Sequence, residues 1–340
     1  MDQLTEAENK REPKVAILMA SFNGSRHIEE QLKSIRGQTY RNWHLFVSDN
    51  GSTDSTRDIL SAYGTRESRM EKLLMNNEKR GAFLNFYFLL QYAKEHLADS
   101  YEYFFLCDQD DLWDERKISI QVEKMKETDG RVPALSYTDL QIMNEDGSPA
   151  SKKMSDIYLL PLKNAADIFF NPVHVWGNTV CFNACLLRNI RIPDDVYKGF
   201  SHDQFLAYYA AGFGQCLYLD LPLTFYRRYQ GNVSEIRPNA SLHAIAGKLV
   251  GGIQESIDRH AETYSNVLEF LDANGREGSL LEDIYEAYIY GGRKAMGIIR
   301  KYHVTPGPDR AGALTNRFIL LTGIYKKSDK YRYRKPAGKD

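Results

Sequence analysis

The chain has 340 residues, 43% of them hydrophobic and 26% charged, proportions that give a globular protein with one large domain plus a smaller addition and exclude disorder as the default. Its 44 basic and 45 acidic residues leave a net charge of -1, so no global field draws it to nucleic acid or anionic membrane, and any basic patch is local. The cysteines Cys107, Cys181, Cys185 and Cys216 form no CxxC pair and read as reduced core residues of a cytoplasmic protein. The N-terminal residues are polar and nowhere do roughly 18 apolar residues run together, so neither a signal peptide nor a membrane span is expected.

In chain order, a polar tail over 1–13 precedes Val15-Ala16-Ile17-Leu18-Met19-Ala20, a short, fully apolar run typical of a buried parallel strand. An amphipathic helix follows from Ser25 to Arg36, then a strand over His44–Ser48, a helix from Asp54 to about Tyr63 and a strand over Lys72–Met75. A helix from about Gly81 to His96 leads into the strand Tyr103–Cys107. Four strands alternating with three helices predict a doubly wound sheet. After a helix from about Glu115 to Met125, residues 133–235 mix strands, turns and a helix near Gln204–Ala211. They read as the acceptor-facing half of the same domain, which spans 14–235. From 236 the periodicity is helical over Leu242–Leu271, Leu280–Tyr302 and Asn316–Tyr325, interrupted at Asn274-Gly275 and Pro306-Gly307-Pro308. The final KKSDKYRYRKPAGKD mixes basic and aromatic side chains, the composition of a solvated tail or of peripheral contact with a phosphate-rich lipid surface. A homodimer through the C-terminal helices stays open.

Ligands of an open parallel sheet bind at the carboxyl ends of its strands, and four segments there carry chemistry. Ala20-Ser21-Phe22-Asn23-Gly24 lacks GxGxxG, which argues against a dinucleotide cofactor and leaves Ser21, Phe22 and Asn23 to meet a base or to cap a helix. In Ser48-Asp49-Asn50-Gly51-Ser52-Thr53-Asp54, glycine permits a tight turn and Ser52–Asp54 offer helix caps, so Asp49 is the candidate nucleoside contact. Gly81, at the start of the third helix, joins these donor-side candidates. In Leu106-Cys107-Asp108-Gln109-Asp110-Asp111-Leu112-Trp113, three carboxylates within four residues repel one another unless a cation or helix N-terminus compensates. A hard divalent ion, Mn2+ or Mg2+, on Asp110 and Asp108 is the better explanation. Gln109 counts among the donor contacts and Asp111 lies toward the acceptor. The fourth segment, Ser201-His202-Asp203-Gln204, precedes an apolar helix; Asp203 is the candidate general base, with His202 its acceptor-side neighbour, against the plainer role of a helix cap.

The order and spacing of S-F-N-G, V-S-D-N-G-S-T-D-S-T, L-C-D-Q-D-D-L-W and H-D-Q resemble the family 2 glycosyltransferases of GT-A fold over roughly residues 14–235. The resemblance implies a Rossmann-like mixed sheet flanked by helices, here with a helical C-terminal extension. It also implies a nucleotide-sugar donor bound through Asp49, a D-x-D at Asp108 and Asp110 for ribose and metal, and Asp203 as base. Trp176-Gly177-Asn178 resembles the family's acceptor-side loop. Together with L-C-D-Q-D-D-L-W and the H-D before a helix, Tyr226-Arg227-Arg228-Tyr229-Gln230-Gly231-Asn232-Val233 is most similar to bacterial rhamnosyltransferases of surface polysaccharide synthesis. Relatives often carry an aromatic residue where Gln204 stands and a histidine where Tyr229 stands, so Arg227, Arg228 or Tyr229 would meet the diphosphate. The expectation is inverting transfer from a dTDP- or UDP-linked sugar to a saccharide or lipid-linked saccharide. Two other readings remain: an aspartate-nucleophile phosphatase, whose Asp-x-Asp normally opens the fold, and a non-catalytic carbohydrate-binding protein.

Overall fold

The computed structural model describes residues 11–77, 81–158, 162–171, 175–193, 200–229, 245–305 and 310–335. Most of the polar tail, the end of the Tyr226–Val233 motif, the expected boundary at 235/236 and the Pro306–Pro308 turn lie outside them. The chain folds as two compact units: Met1–Met154, Val175–Ile190 and Phe213–Arg228 form the first, and Ser155–His174, Arg191–Gly212 and Tyr229–Asp340 the second.

The first unit opens with β1 (Val15–Ser21), α1 (Ile28–Arg36), β2 (Trp43–Asp49), α2 (Thr56–Gly64), β3 (Met70–Met75), α3 (Ala82–His96) and β4 (Tyr103–Asp108), close to the predicted elements. It continues with β5 (Leu112–Trp113), α4 (Lys117–Met125), β6 (Ala134–Met143), β7 (Pro149–Lys153), β8 (Cys181–Asn183), α6 (Ala184–Asn189) and β9 (Gln215–Arg227). The helix α5 (Ala165–Phe170), which falls between β7 and β8 in the chain, belongs to the second unit. The strands form one mixed sheet in the order β3-β2-β1-β4-β8-β6-β9-β5, with β7 on β6. β3, β2, β1 and β4 run parallel, whereas β8 pairs antiparallel to both β4 and β6.

Alternation along each strand sends successive side chains to opposite faces. Val15, Ile17 and Met19 of β1, with Leu45, Val47, Phe105 and Cys107, pack on Ile28, Leu32 and Ile35 of α1 and on Ile118, Val122 and Met125 of α4. On the other face α3 lies against β1 and β2 and buries Phe86, Leu89 and Leu90. Cys107, Cys181 and Cys185 are buried, as expected of core residues, whereas Cys216 is half-buried.

The second unit holds α5, α7 (His202–Phe213, its last residue excepted), α8 (Ile245–Asn274), α9 (Ser279–Tyr290), α10 (Gly292–Lys301) and α11 (Arg310–Thr322). Aromatic side chains join them: Phe169 stacks on Tyr208, and Phe205 meets Phe270 edge to face. The single helix expected over Leu280–Tyr302 is two, because Gly291 and Gly292 both take positive φ (66° and 63°), a conformation glycine adopts without strain. The C-terminal segment is also not wholly a solvated tail: it packs on its unit as far as Tyr333, and Arg334 and Lys335 beyond it are exposed. Tyr333 is buried and donates to Asp272 at 2.7 Å, and the Arg332 backbone N–H donates to Ser265 Oγ at 3.0 Å. Among the described residues no helix is long and apolar enough to cross a membrane.

Candidate active site

Strand register sets the site's first geometry. Ser21 of β1 stands beside Asp49 of β2, and Ala20 beside Asp108 of β4. Neighbouring strands are about 4.8 Å apart, so Ser21 and Asp49 stand side by side and Asp108 one register step behind them, all three at the carboxyl edge where such sheets take ligands.

Asp49 is fully buried. Its Oδ1 accepts from the Ser52 backbone N–H at 2.9 Å and from Arg57 Nε at 2.7 Å; its Oδ2 accepts from the hydroxyls of Ser21 and Ser52. Burial pushes its carboxyl up, but the bonds from Ser52 and Arg57 outweigh that and hold it below the ordinary carboxylate value. Four donors use the four acceptor sites of a carboxylate. The expected nucleoside contact is therefore also the brace of the Asn50–Thr53 turn; of the expected caps, only Asp54 meets the start of α2, accepting from the Thr56 N–H at 3.0 Å, while the N-cap residue is Ser55, which makes no side-chain capping bond.

The S-F-N-G loop is fixed from two sides. Asn23, in the left-handed region at φ 47°, accepts from the Thr53 backbone N–H at 2.8 Å, while its own N–H donates to Ser52 Oγ at 2.9 Å. Gln109 grips the Phe22 backbone twice, accepting its N–H and donating to its carbonyl, each at 2.9 Å. Gly24 makes room for this grip, since a Cβ there would lie 2.1 Å from Gln109 Oε1. Gln109, expected to touch the donor, thus ties the β1 loop to the β4 loop. Phe22 projects at 52% exposure, a flat apolar surface at the sheet edge. Gly81 (φ 124°) donates its N–H to Asn50 Oδ1 at 2.8 Å and so joins the start of α3 to the Asp49 turn.

The acidic run divides. Asp108, Gln109 and Asp110 are half-buried, whereas Asp111 is 1% exposed. Asp111 accepts from Asn178 Nδ2 at 2.5 Å and from the Arg227 backbone N–H at 3.1 Å. Burial, then the charge of Asp110, pushes its carboxyl up to about 7. Asp111 and Asn178, expected on the acceptor side, are thus engaged with each other inside the unit. Gly177 is buried beside Asn178, and Trp176 is half-buried.

Arg227 is placed by strand pairing. Leu112 pairs with Phe225 and Trp113 with Thr224 antiparallel, so stepping back along β5 brings Asp110 opposite Arg227. The guanidinium, 1% exposed, donates from Nε to the Asp110 carbonyl at 2.9 Å, from Nη1 to the Glu145 carbonyl at 2.7 Å, and from Nη2 to Glu30. This is a clamp on the acidic loop, a use that the expected diphosphate role did not foresee. Arg228 is exposed, its backbone N–H bonded to the Met143 carbonyl at 2.9 Å. Tyr229 is half-buried.

Beneath this loop Lys117 is fully buried and donates to the Asn178 carbonyl and to Thr224 Oγ1, both at 2.9 Å. Burial lowers its ammonium to about 7. Lys117, Asn178, Asp111 and Arg227 form one chain of hydrogen bonds between α4, the 176–178 loop, the acidic loop and β9. Sequence reading passed over Lys117 and Arg57. The signal for Lys117 was a charged residue on the apolar face of a helix, in step with Ile118, Gln121, Val122 and Met125.

Asp108 and Asp110 are half-buried carboxylates at the sheet edge, hard oxygen donors of the kind that would suit Mn2+ or Mg2+. Among the described residues no group of three or more His, Cys, Asp or Glu side chains converges. A cation here would complete its shell with substrate oxygens and water, as Mg2+ commonly does.

In the second unit Asp203 occupies the first turn of α7, half-buried, its Oδ1 accepting from Ser201 Oγ and from the Gln204 backbone N–H at 2.7 Å. His202 is buried, and burial lowers its imidazole to about 4, against the raising effect of Asp203.

The parallel β3-β2-β1-β4 half and the mixed extension that begins with the antiparallel β8 define a GT-A-like fold. The glycosyl transferase family 2 model matches residues 16–185, half of the chain, and the protein belongs to that family. It is 31% identical over 140 residues to the putative teichuronic acid biosynthesis glycosyltransferase TuaG of Bacillus subtilis, a match covering 41% of this chain and 52% of that one. It is 37% identical over 106 residues to the dTDP-rhamnosyl transferase RfbG of Shigella flexneri, covering 31% and 36%. The chain spans about half the length of the first curated relatives it matches. The crystal structure of S. aureus TarS 1-349 superposes with a TM-score of 0.54 at 14% identity, over 92% of this chain and 80% of that one, a likeness of fold.

Proposed function

We propose that the protein is an inverting glycosyltransferase that moves a sugar from a nucleoside diphosphate to a saccharide or lipid-linked saccharide acceptor in bacterial surface polysaccharide synthesis. The observation that carries the reading is the placement of Ser21, Asp49 and Asp108 at the ends of three neighbouring strands on the carboxyl edge of the sheet, beside the Asp108–Asp111 loop. Similarity to RfbG favours rhamnose from dTDP-rhamnose as the donor.

In this reading Phe22 stacks on the base, while the Asp49 turn and Gly81 line the nucleoside. Asp108 and Asp110 face ribose and diphosphate, and Arg227 holds the Asp110 backbone in place from behind. A divalent cation held by Asp108 and Asp110 supplies charge compensation for the diphosphate. Asp203 accepts the proton of the acceptor hydroxyl; that oxygen bonds to the anomeric carbon as the bond to the diphosphate oxygen breaks, and the electron pair leaves with the nucleoside diphosphate. Alignment of the two substrates supplies much of the rate. Asp203→Asn keeps the size of the side chain but not its basicity. It should bind dTDP-rhamnose in the presence of Mn2+ as the wild type does and fail to transfer. An Asp203→Asn enzyme with normal turnover would remove the assignment, and a screen of UDP-hexoses against dTDP-rhamnose decides the donor.

A further inference from the structure

The second unit carries a surface feature that glycosyl transfer does not use. On α11, Leu314, Phe318 and Leu321 are 68%, 54% and 45% exposed, while the neighbouring Ile319 and Leu320 are buried. The spacing i, i+4, i+7 sets the three exposed side chains in one stripe about two turns long, with the exposed Arg317 beside it. The end of α9 adds Tyr290, 58% exposed, next to Gly291, whose backbone abuts the Leu320 carbonyl so closely that a Cβ would lie 2.9 Å away. Lys294 Nζ, which also pairs with Glu286 at 2.7 Å, sits 4.6 Å from the centroid of the Tyr290 ring, and Lys326 Nζ donates to the Tyr290 carbonyl at 3.2 Å.

Charge says what such a stripe meets. Between Gly291 and Lys327 the sequence has eight lysines and arginines and one acidic residue, Asp309, in a chain whose net charge is -1. An aromatic ring flanked by ammonium groups, beside leucine and phenylalanine on a helix with a basic edge, is the chemistry of an interfacial helix on an anionic bilayer. A second copy of the chain would bring the same basic edge against itself across a two-fold axis. Four side chains also fall well short of the roughly 800 Å² per partner of a standard interface. We propose that the α11 stripe, Leu314, Phe318 and Leu321 with Tyr290, docks on an anionic lipid surface, with Arg317, Lys326 and Lys327 against the headgroups. The inference stands apart from the catalytic reading, since no residue in it belongs to the acidic loop or to the Asp203 segment.

The test is flotation of the full-length protein with phosphatidylcholine vesicles and with phosphatidylglycerol-rich vesicles, at low and high salt. The wild type should float with the anionic vesicles only, and less so at high salt. The double variant Leu314→Ser/Phe318→Ser should lose on the order of tenfold or more in partitioning. Lys326→Glu/Lys327→Glu should lose roughly fivefold per charge removed. The substituted side chains are exposed, so circular dichroism and urea unfolding should match the wild type. Absence of binding to anionic vesicles would overturn the proposal, as would equal partitioning of wild type and variants. So would a dimer that Phe318→Ser disperses without any effect of lipid.

Discussion

Arg227→Met separates two uses of one arginine: a ligand for the substrate's diphosphate, or a clamp that shapes the acidic loop. The guanidinium is 1% exposed and donates to two backbone carbonyls, those of Asp110 and Glu145, and to the Glu30 carboxylate. Hydrogen bonds from a charged donor contribute about 1.5–3 kcal/mol each, and because both of these are part-buried the lower end, about 1.5–2 kcal/mol, applies to each, so the two carbonyls together account for roughly 3–4 kcal/mol. The Glu30 side chain is 58% exposed; water re-solvates it, and its pairing adds no more than about 1 kcal/mol. Methionine retains most of the apolar stem, so the loss comes from the fork. Urea unfolding followed by circular dichroism should show ΔG lower by about 3–4 kcal/mol with an unchanged m-value, and Arg227→Lys, one point charge without the fork, should recover about half. Nucleotide affinity, measured where both proteins are folded, should fall as a consequence. A variant within about 0.5 kcal/mol of wild type, the range of an ordinary surface change, that nonetheless loses the diphosphate would refute the clamp.

Two further outcomes follow from local geometry. Gly24→Ala places a Cβ 2.1 Å from Gln109 Oε1, so the amide has to leave Phe22 and two hydrogen bonds, together about 1–2 kcal/mol, are lost. Gln109→Ala should weaken nucleotide binding to the same degree and the double variant no further; additive effects in that cycle would dissociate Gly24 from Gln109. The His202 imidazole is held at about 4 by burial, while an unfolded chain protonates near 6.5. Its folded pKa is depressed, so the unfolded state takes up the proton first. Stability is full above pH 6.5 and should decline by up to about 3 kcal/mol as the pH falls toward 4. His202→Gln should flatten that decline, and an unaltered slope in urea titrations at several pH values would exclude the imidazole as its source.

The parallel half of the sheet was legible because a strand covered on both faces is written as an uninterrupted apolar run, as in Val15–Ala20 and Tyr103–Cys107. The mixed half was not. Its parallel pairing of β6 with β9, Ala134 beside Gln215, joins segments far apart in the chain, and no local period announces a partner. At the site, the sequence marked the right loops but could not apportion their side chains. Asp110 and Asp111 are identical in chemistry, and only the turn into β5 decides that one stays at the edge while the other is buried against Asn178. Arg227 and Arg228 pose the same problem, solved by strand alternation: the first turns inward and the second outward. Gln109 was read as reaching for a ligand because hydrogen bonds to a backbone 87 residues away leave no trace in sequence. Helix α9 ended early for a reason that was visible, the pair Gly291-Gly292, but glycine inside an apolar period was outweighed by the period itself.

The central claim is that the sheet edge bearing Asp49, Asp108 and Asp110 binds a metal-dependent nucleoside diphosphate. Isothermal titration of dTDP and UDP into the wild type and into Asp110→Ala, each with and without Mn2+, tests it most directly. The account predicts binding by the wild type that Mn2+ strengthens at least tenfold, about 1.4 kcal/mol, and an Asp110→Ala protein that is stably folded but gains nothing from the ion. Equal nucleotide affinity in both proteins, with or without Mn2+, would contradict it.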